Sequence, residues 1–416
     1  MSLIKYILIA IIFTFIGYEN PSLTELPKKY IKFYLKKLKI SETSVVEKKQ
    51  IDTTEQNKDL NNSNNIESIE GNSFNLEYKK ILNFDDRTAS FYVKDGDKKK
   101  LFEVYLQEGI KISGEKVSEI NLPLNFTLKK NGGVKSVFKK NGLNFALVSS
   151  KKNIDCYHAS LINLENSKKV FETDCLPDYE NVDFNGLGGG YINYSDDLIL
   201  TLGAPEWNSS KIRNLAQDET SFYGKSILIK NDIFTNDNSI IPDNKNIKIF
   251  TKGHKNHQGI TLLNNIIFSV EHGPQGGDEL NILKKGNNYG WPLVSYGTLY
   301  NDGKSFLKLK KDTTNPIYTF LPSIAPSAIN NCPDNLKNYY KENHCLVMLS
   351  LRGMSIFVLL IDKKNFRLIS LEKFLVDQRL RHFGLNYQNR MYQKNNFFYI
   401  SVDGEGLYEM KFNNFR

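Results

Sequence analysis

The chain has 416 residues, 40% hydrophobic and 12% aromatic, enough to bury a large core, and this composition excludes an intrinsically disordered protein. Its formal net charge is +9. The lysine surplus clusters toward the N-terminus and no motif interleaves aromatic with basic residues, so nucleic acid is excluded as a partner.

The chain opens on MSLIKYILIAIIFTFIGYENPS, whose apolar stretch from Tyr6 to Tyr18 is shorter than the roughly 20 residues a membrane span needs. Residues 1–20 are read as an export signal peptide or, since no small-x-small cleavage site follows, a membrane anchor. Either places the remainder in the periplasm or another extracytoplasmic space, secreted or N-terminally anchored to a membrane. Residues 21–40 form a basic amphipathic segment in which Ile31, Tyr34, Leu35 and Leu38 share a helical face among lysines. That face is either solvated or laid on an anionic membrane surface, and lysines so close behind an apolar stretch oppose export. Residues 41–73 lack any aromatic residue and are dominated by Asn, Ser, Thr, Glu and Lys, so they read as a disordered linker. The folded domain is expected over 74–416, beginning near Phe74.

From there the chain repeats an apolar strand, a turn of Asn, Asp or Gly, and a second apolar strand. Examples are GGVKSVFKKNGLNFALVSS, GITLLNNIIFSVEHG and CLVMLSLRGMSIFVLLID. No long helical period separates these hairpins, which argues against parallel βαβ units. An all-β fold follows, a β-propeller with long inserted loops or a pair of β-sandwiches. Cys156 with Cys175 and Cys332 with Cys345 form two local pairs, which an exported chain would join as disulfides; four buried thiols are the other possibility.

The loops carry the specific signals. GHKNHQGITL is followed by EHGPQGGDELNILKKGNNYGWPLVSYGTLY, then PSIAPSAI, LSLRGMSIFVLLID and RLRHF, with AQDETSFYGKSILI upstream. Gly273, Gly276, Gly277, Gly286 and Gly290 let the backbone fold tightly enough for carbonyls and carboxylates to converge, as a hard cation such as calcium requires. The alternative is a structural crossover in which Asp278 and Glu279 cap a turn. Together these motifs, over roughly residues 130–412, resemble the glucose/sorbosone dehydrogenase family of soluble aldose dehydrogenases. That resemblance implies a six-bladed β-propeller, the cofactor pyrroloquinoline quinone (PQQ) and Ca2+. It would place the carbonyls of Gly273 and Pro274, with Glu279 and Tyr289, around calcium, and Lys255, Asn256, Tyr300, Arg352, Arg379 and Arg381 around PQQ. Arg379 and Arg381, two apart on an apparent strand, would point the same way and grip one anion.

Two departures matter. The family's catalytic histidine should fall in FNGLGGGYINY, and neither Gly186 nor Leu187 is one. The carboxylate that orients it should follow LILTLG, where Ala204 stands, with Glu206 two residues on. Glu206 and His257 are therefore the weak catalytic candidates. His254 and His257 as a zinc pair lack a third ligand, and GLGGG has the wrong spacing for a dinucleotide fingerprint. The expected activity is oxidation of an aldose or related alcohol, with an electron acceptor as further partner. The alternative is a non-catalytic, membrane-tethered propeller that binds calcium and a sugar or anionic ligand.

Overall fold

The computed structural model describes residues 66–416, apart from residue 98 and residues 237–243. The expected signal or anchor, the basic segment and most of the linker lie outside the described residues. Among the described residues no helix is long and apolar enough to cross a membrane.

Six antiparallel sheets follow one another along the chain. We number them as blade 1 (residues 88–119), blade 2 (134–172), blade 3 (188–252), blade 4 (256–320), blade 5 (326–375) and blade 6 (380–413). Blade 6 is completed by strands Glu67–Glu70 and Asn75–Leu82, the latter paired antiparallel to Gly406–Asn413. The first strands of the blades are neighbours in a ring, so the sheets form a six-bladed propeller rather than sandwiches. The boundary expected near Phe74 is corrected. Glu67–Glu70 presents only Ile69 as an apolar residue, so its sequence reads as linker, yet it is ordered by backbone pairing at the outer edge of blade 6.

The core lies between blades. The six apolar clusters of buried residues each join two neighbouring blades, and together they close the circle. This arrangement explains the hairpins of long apolar runs: a middle strand such as Ser355–Ile361 is buried on both faces because a neighbouring blade covers each. Every blade also has a register shift at the start of its first strand, at Thr88/Ser90, Val134/Ser136, Gly188/Tyr191, His257/Gly259, Pro326/Ala328 and Leu380/Phe383. Such bulges re-aim side chains at the rim of the axle, the position from which functional groups can reach a central cavity.

The paired cysteines are joined as expected, Cys156 of blade 2 to Cys175 just beyond its last strand, and Cys332 to Cys345 within blade 5. The seam in blade 6 is apolar. Phe74, with no exposed surface, stacks on Phe374 at 5.3 Å and meets Phe412 edge-on at 5.3 Å. Phe74→Ala is expected to destabilise the fold by about 3–5 kcal/mol, read by urea unfolding, because it empties the contact that fastens the first strands to the last.

Candidate functional site

The site is assembled by two interlocking loop systems. The first is the glycine loop between strands Ile266–His272 and Asp278–Leu283. A Cβ on Gly273 would lie 2.2 Å from the carbonyl oxygen of Gly277 and 2.5 Å from that of Gly276, so only glycine permits this approach of carbonyls. Asp278 clasps the loop. Its Oδ1 accepts from the Gly273 amide at 2.9 Å and the Ser323 hydroxyl at 3.1 Å, and its Oδ2 accepts from the Ile324 and Ala325 amides at 2.8 and 2.7 Å. One buried carboxylate thereby ties blade 4 to the entry of blade 5.

The second system joins the AQD…GK stretch to NNYGWP. Gln217 and Asn288 exchange amide hydrogen bonds at 3.0 and 2.8 Å, and Gln217 Nε2 also donates to the Trp291 carbonyl at 2.6 Å. Lys225, fully buried, donates to the carbonyls of Leu215 and Tyr223 at 2.6 and 2.9 Å, and burial pushes its ammonium down to about 7. The inserted run 284–317 is thus laced onto blade 3, and Trp291 is carried to the cavity wall.

Beneath the cavity lies a buried polar network. His254 Nδ1 donates to Glu271 Oε1 at 3.0 Å, and Glu271 Oε2 accepts from the Lys255 amide at 2.9 Å. Asn281 Nδ2 donates to both Glu271 and Glu279, at 3.0 and 3.1 Å. Burial, and then the charge of Glu271, push the Glu279 carboxyl well above its ordinary range.

Above this network a cavity of about 280 Å³ opens at the mouth of the ring. Of the residues expected from sequence, it brings together Pro274, Lys255, Asn256, Tyr300, Arg379, Arg381 and Glu206. Arg381 and Arg379 do converge on one anion, but that anion is the protein's own Asp403. Arg381 meets it through Nε and, at 2.6 Å, through Nη2, and Arg379 Nε lies 3.5 Å from it. Burial alone would raise the Asp403 carboxyl, but the two guanidiniums hold it below the usual range. Arg379 keeps half its side chain exposed toward the cavity mouth. Lys255 lies with Nζ 5.8 Å from the Trp291 ring, and burial lowers its ammonium against the pull of Glu206 and Asp278.

Other expectations shift. His257 is corrected as a catalytic candidate: its ring is buried, stacks on His254 at 4.4 Å, and neither nitrogen reaches a partner or the cavity lining. Arg352 is exposed and outside the lining, acting on Tyr300 through its charge. Tyr289 donates to the Ile282 carbonyl at 2.5 Å and accepts from the Lys284 amide at 3.0 Å, so its hydroxyl braces the loop. Gly273 and Glu279 lie outside the cavity lining, on the loop and strand that support it.

Sequence reasoning missed Arg87, Asp183, Asn185, Trp207 and Trp291 in the lining, while His272, from the EHGPQGG loop expected to surround the cofactor, does line it. Of the missed residues, Trp291 stood within the quoted motif. Trp207 stacks on Tyr300 at 5.8 Å with planes 9° apart, and both rings are largely exposed. His272 accepts from Asn256 Nδ2 at 3.1 Å and donates from Nε2 to the Pro326 carbonyl at 3.0 Å; burial lowers it to about 4, so it is neutral and both nitrogens are committed. A larger cavity of about 680 Å³ follows the axle, and Gln258 lines both.

A six-bladed propeller that gathers cations and aromatic rings over a carbonyl-rich glycine loop is the class that fold and cavity define. The chain belongs to the Glucose / Sorbosone dehydrogenase family, whose model matches residues 134–396. A 150-residue stretch is 35% identical to an uncharacterized protein of Synechocystis sp., covering 32% of this chain and 35% of that one. Another of 125 residues is 38% identical to the aldose sugar dehydrogenase YliI of Escherichia coli, covering 28% of this chain and 32% of the relative. The chain thus matches about a third of the length of each relative. Among solved structures, the apo-form soluble aldose sugar dehydrogenase of Escherichia coli aligns with TM-score 0.60 at 18% identity, over 83% of this chain and 99% of that one. The PQQ-bound aldose sugar dehydrogenase of Streptomyces coelicolor aligns with TM-score 0.55 at 17% identity, over 81% and 98%. These likenesses establish the fold.

Two outcomes follow. Asp278→Ala strands the donors it holds and is expected to cost at least about 3 kcal/mol, with faster hydrogen exchange confined to residues 273–277 and 323–325. His382, beside Arg381, is lowered from 6.5 to about 3 by burial and then by that guanidinium. The unfolded chain binds this proton and the fold does not, so the contribution of the neutral ring is complete above pH 6.5 and is lost as pH falls toward 3. Urea unfolding of His382→Gln should therefore fall less between pH 7 and 4 than that of the wild type.

Proposed function

We infer that this chain is a PQQ- and calcium-dependent dehydrogenase that oxidises an aldose or related alcohol outside the cytoplasm and passes the electrons to an acceptor. The observation that carries the reading is the cavity itself: Arg87, Lys255 and Arg379 face it, with Trp207, Trp291 and Tyr300 as aromatic walls. Among the described residues Arg87 and Lys255 make no ion pair, and the buried Trp291 Nε1 has no acceptor. A planar quinone bearing three carboxylates matches that set of unspent donors and flat walls.

PQQ, when bound, supplies a two-electron acceptor for the anomeric carbon of the sugar. The chain does the rest. Arg87 and Arg379 offer forked donors to carboxylates, and Lys255 brings a desolvated charge on a backbone whose amide is fixed by Glu271. Trp207 and Tyr300 present ring faces on which the apolar face of a pyranose can lie. For calcium, no group of three or more His, Cys, Asp or Glu gathers among the described residues. The hard oxygens would come mainly from the carbonyls of Gly273 and Pro274, with Glu279 ionised by the cation it supports. The two disulfides support an oxidising compartment, and the N-terminal segment is the proposed export signal or membrane tether.

One observation favours a second reading, a binding propeller without turnover: no imidazole that lines the cavity has a nitrogen free to accept a proton. Titrating the purified protein with PQQ and calcium, followed by an aldose panel, separates the two. The dehydrogenase reading expects a saturable quinone spectrum that a sugar bleaches to the reduced form; saturation without bleaching favours the second. Arg379→Ala should weaken PQQ binding about tenfold or more while lowering thermal stability far less than Arg381→Ala, since Arg379 is half exposed and Arg381 keeps the closer, two-nitrogen grip on Asp403.

A further inference from the structure

The place where the family's histidine would stand is flanked by a loop that carries a carboxylate. A Cβ on Gly203 would lie 2.0 Å from the carbonyl oxygen of Gly186, and one on Gly186 would meet Pro205 Cα at 3.1 Å. The two backbones are therefore in direct contact, and they are fixed there. Gly203 N donates to the Leu187 carbonyl at 2.7 Å, Asp183 N to the Pro205 carbonyl at 3.0 Å and Trp207 N to the Asn181 carbonyl at 2.9 Å. Val182 and Glu206 are bridge partners across this contact.

Leu187, by contrast, is fully buried in the apolar cluster between blades 2 and 3. Glu206 lines the cavity beside Asn185 and Gly186, the corner that an imidazole from this stretch would occupy. Its Oε2 accepts from the Ser209 amide at 2.8 Å, which sets the carboxylate plane, while Oε1 has no partner among the described residues. Of the carboxylates acting on the Lys255 ammonium across the cavity, Glu206 acts most strongly. Asp183, the other carboxylate in the lining, also keeps one oxygen without a partner among the described residues, but it holds two donors on Oδ1, Asn131 Nδ2 at 2.9 Å and the Asn185 amide at 3.0 Å, against the single one on Glu206, and it acts less strongly on Lys255.

We propose that Glu206 is the catalytic base of this chain, delivered from the loop next to the vacant histidine position. The inference rests on the dehydrogenase reading above. In the step, the O–H bond of the anomeric hydroxyl breaks and its proton goes to Glu206 Oε1. The hydrogen of the anomeric C–H leaves with its electron pair for the bound quinone, the oxidant, and the proton taken by Glu206 is then given up to complete the quinol as the aldose becomes a lactone. Lys255, in the same lining, feels the charge of this carboxylate and offsets it before transfer.

Glu206→Gln tests this, because the amide oxygen can still accept from Ser209 and keep the loop in place. PQQ binding, followed by absorbance, should be unchanged, and single-turnover reduction of the bound quinone by an aldose should slow by about 10²–10⁴-fold. A second readout needs no turnover. Calorimetry on the apo protein compares 1-deoxynojirimycin, a cationic imino sugar, with the neutral 1,5-anhydroglucitol. The wild type should prefer the cation about tenfold or more, and Glu206→Gln should abolish the preference. Quinone reduction at the wild-type rate in Glu206→Gln, no preference in the wild type, or a preference that survives the substitution overturns the assignment. Failure of the wild type to bind PQQ instead overturns the dehydrogenase reading, and the apo-protein calorimetry then still decides the carboxylate's role.

Discussion

A ring of sheets is held only where each blade finds a neighbour, and here the last neighbour comes from both ends of the domain. Strand Asn75–Leu82 lies against Gly406–Asn413, and Phe74 anchors it between Phe374 and Phe412. Every other blade is local in sequence, four consecutive strands each, with long connections inserted in blades 3 and 4. Blade 6 alone spans more than three hundred residues of separation, so the spacing of the loops at the mouth depends on this closure. Were the seam to open, the apolar clusters on either side of blade 6 would lose a wall and the arginines of blade 6 would lose their register against blade 4.

Within the closed ring, the mouth is organised by buried charge that the protein neutralises itself. Asp278 is consumed by four donors, Asp403 by two guanidiniums, and Glu271 by His254, Asn281 and the Lys255 amide. Each removes a charge that would otherwise be costly in the interior, and each fixes one loop against another. The groups left over, Arg87, Lys255, the exposed half of Arg379 and one oxygen each of Asp183 and Glu206, are those with a direct claim on a ligand. The division between spent and unspent polar groups is sharper here than any list of polar residues in the lining.

Much of this was legible in the sequence because tight backbone geometry leaves a glycine signature. The run from Gly273 to Pro292 could be recognised since its close approaches admit few other residues, and the hairpins could be counted from turn chemistry and apolar runs. What escaped had no local signature. Glu67–Glu70 is a strand because of a partner, not a pattern. Arg87 sits in an ordinary turn, and its place in the cavity is set by ring closure. Asp403 could not be seen as the anion between Arg379 and Arg381, because its distance along the chain says nothing of its distance in space. His257 looked available because sequence does not reveal which face of a bulged strand is covered.

The register shift repeated at the head of all six first strands gives every blade the same hinge between scaffold and loop. Adjacent loops therefore meet at fixed spacing whatever side chains they carry. In such a frame a reactive group belongs to a location rather than to a residue. When one loop surrenders it, the next can supply another chemical type at the same spot without the barrel of blades having to move, so ancestry and present chemistry can be inherited separately.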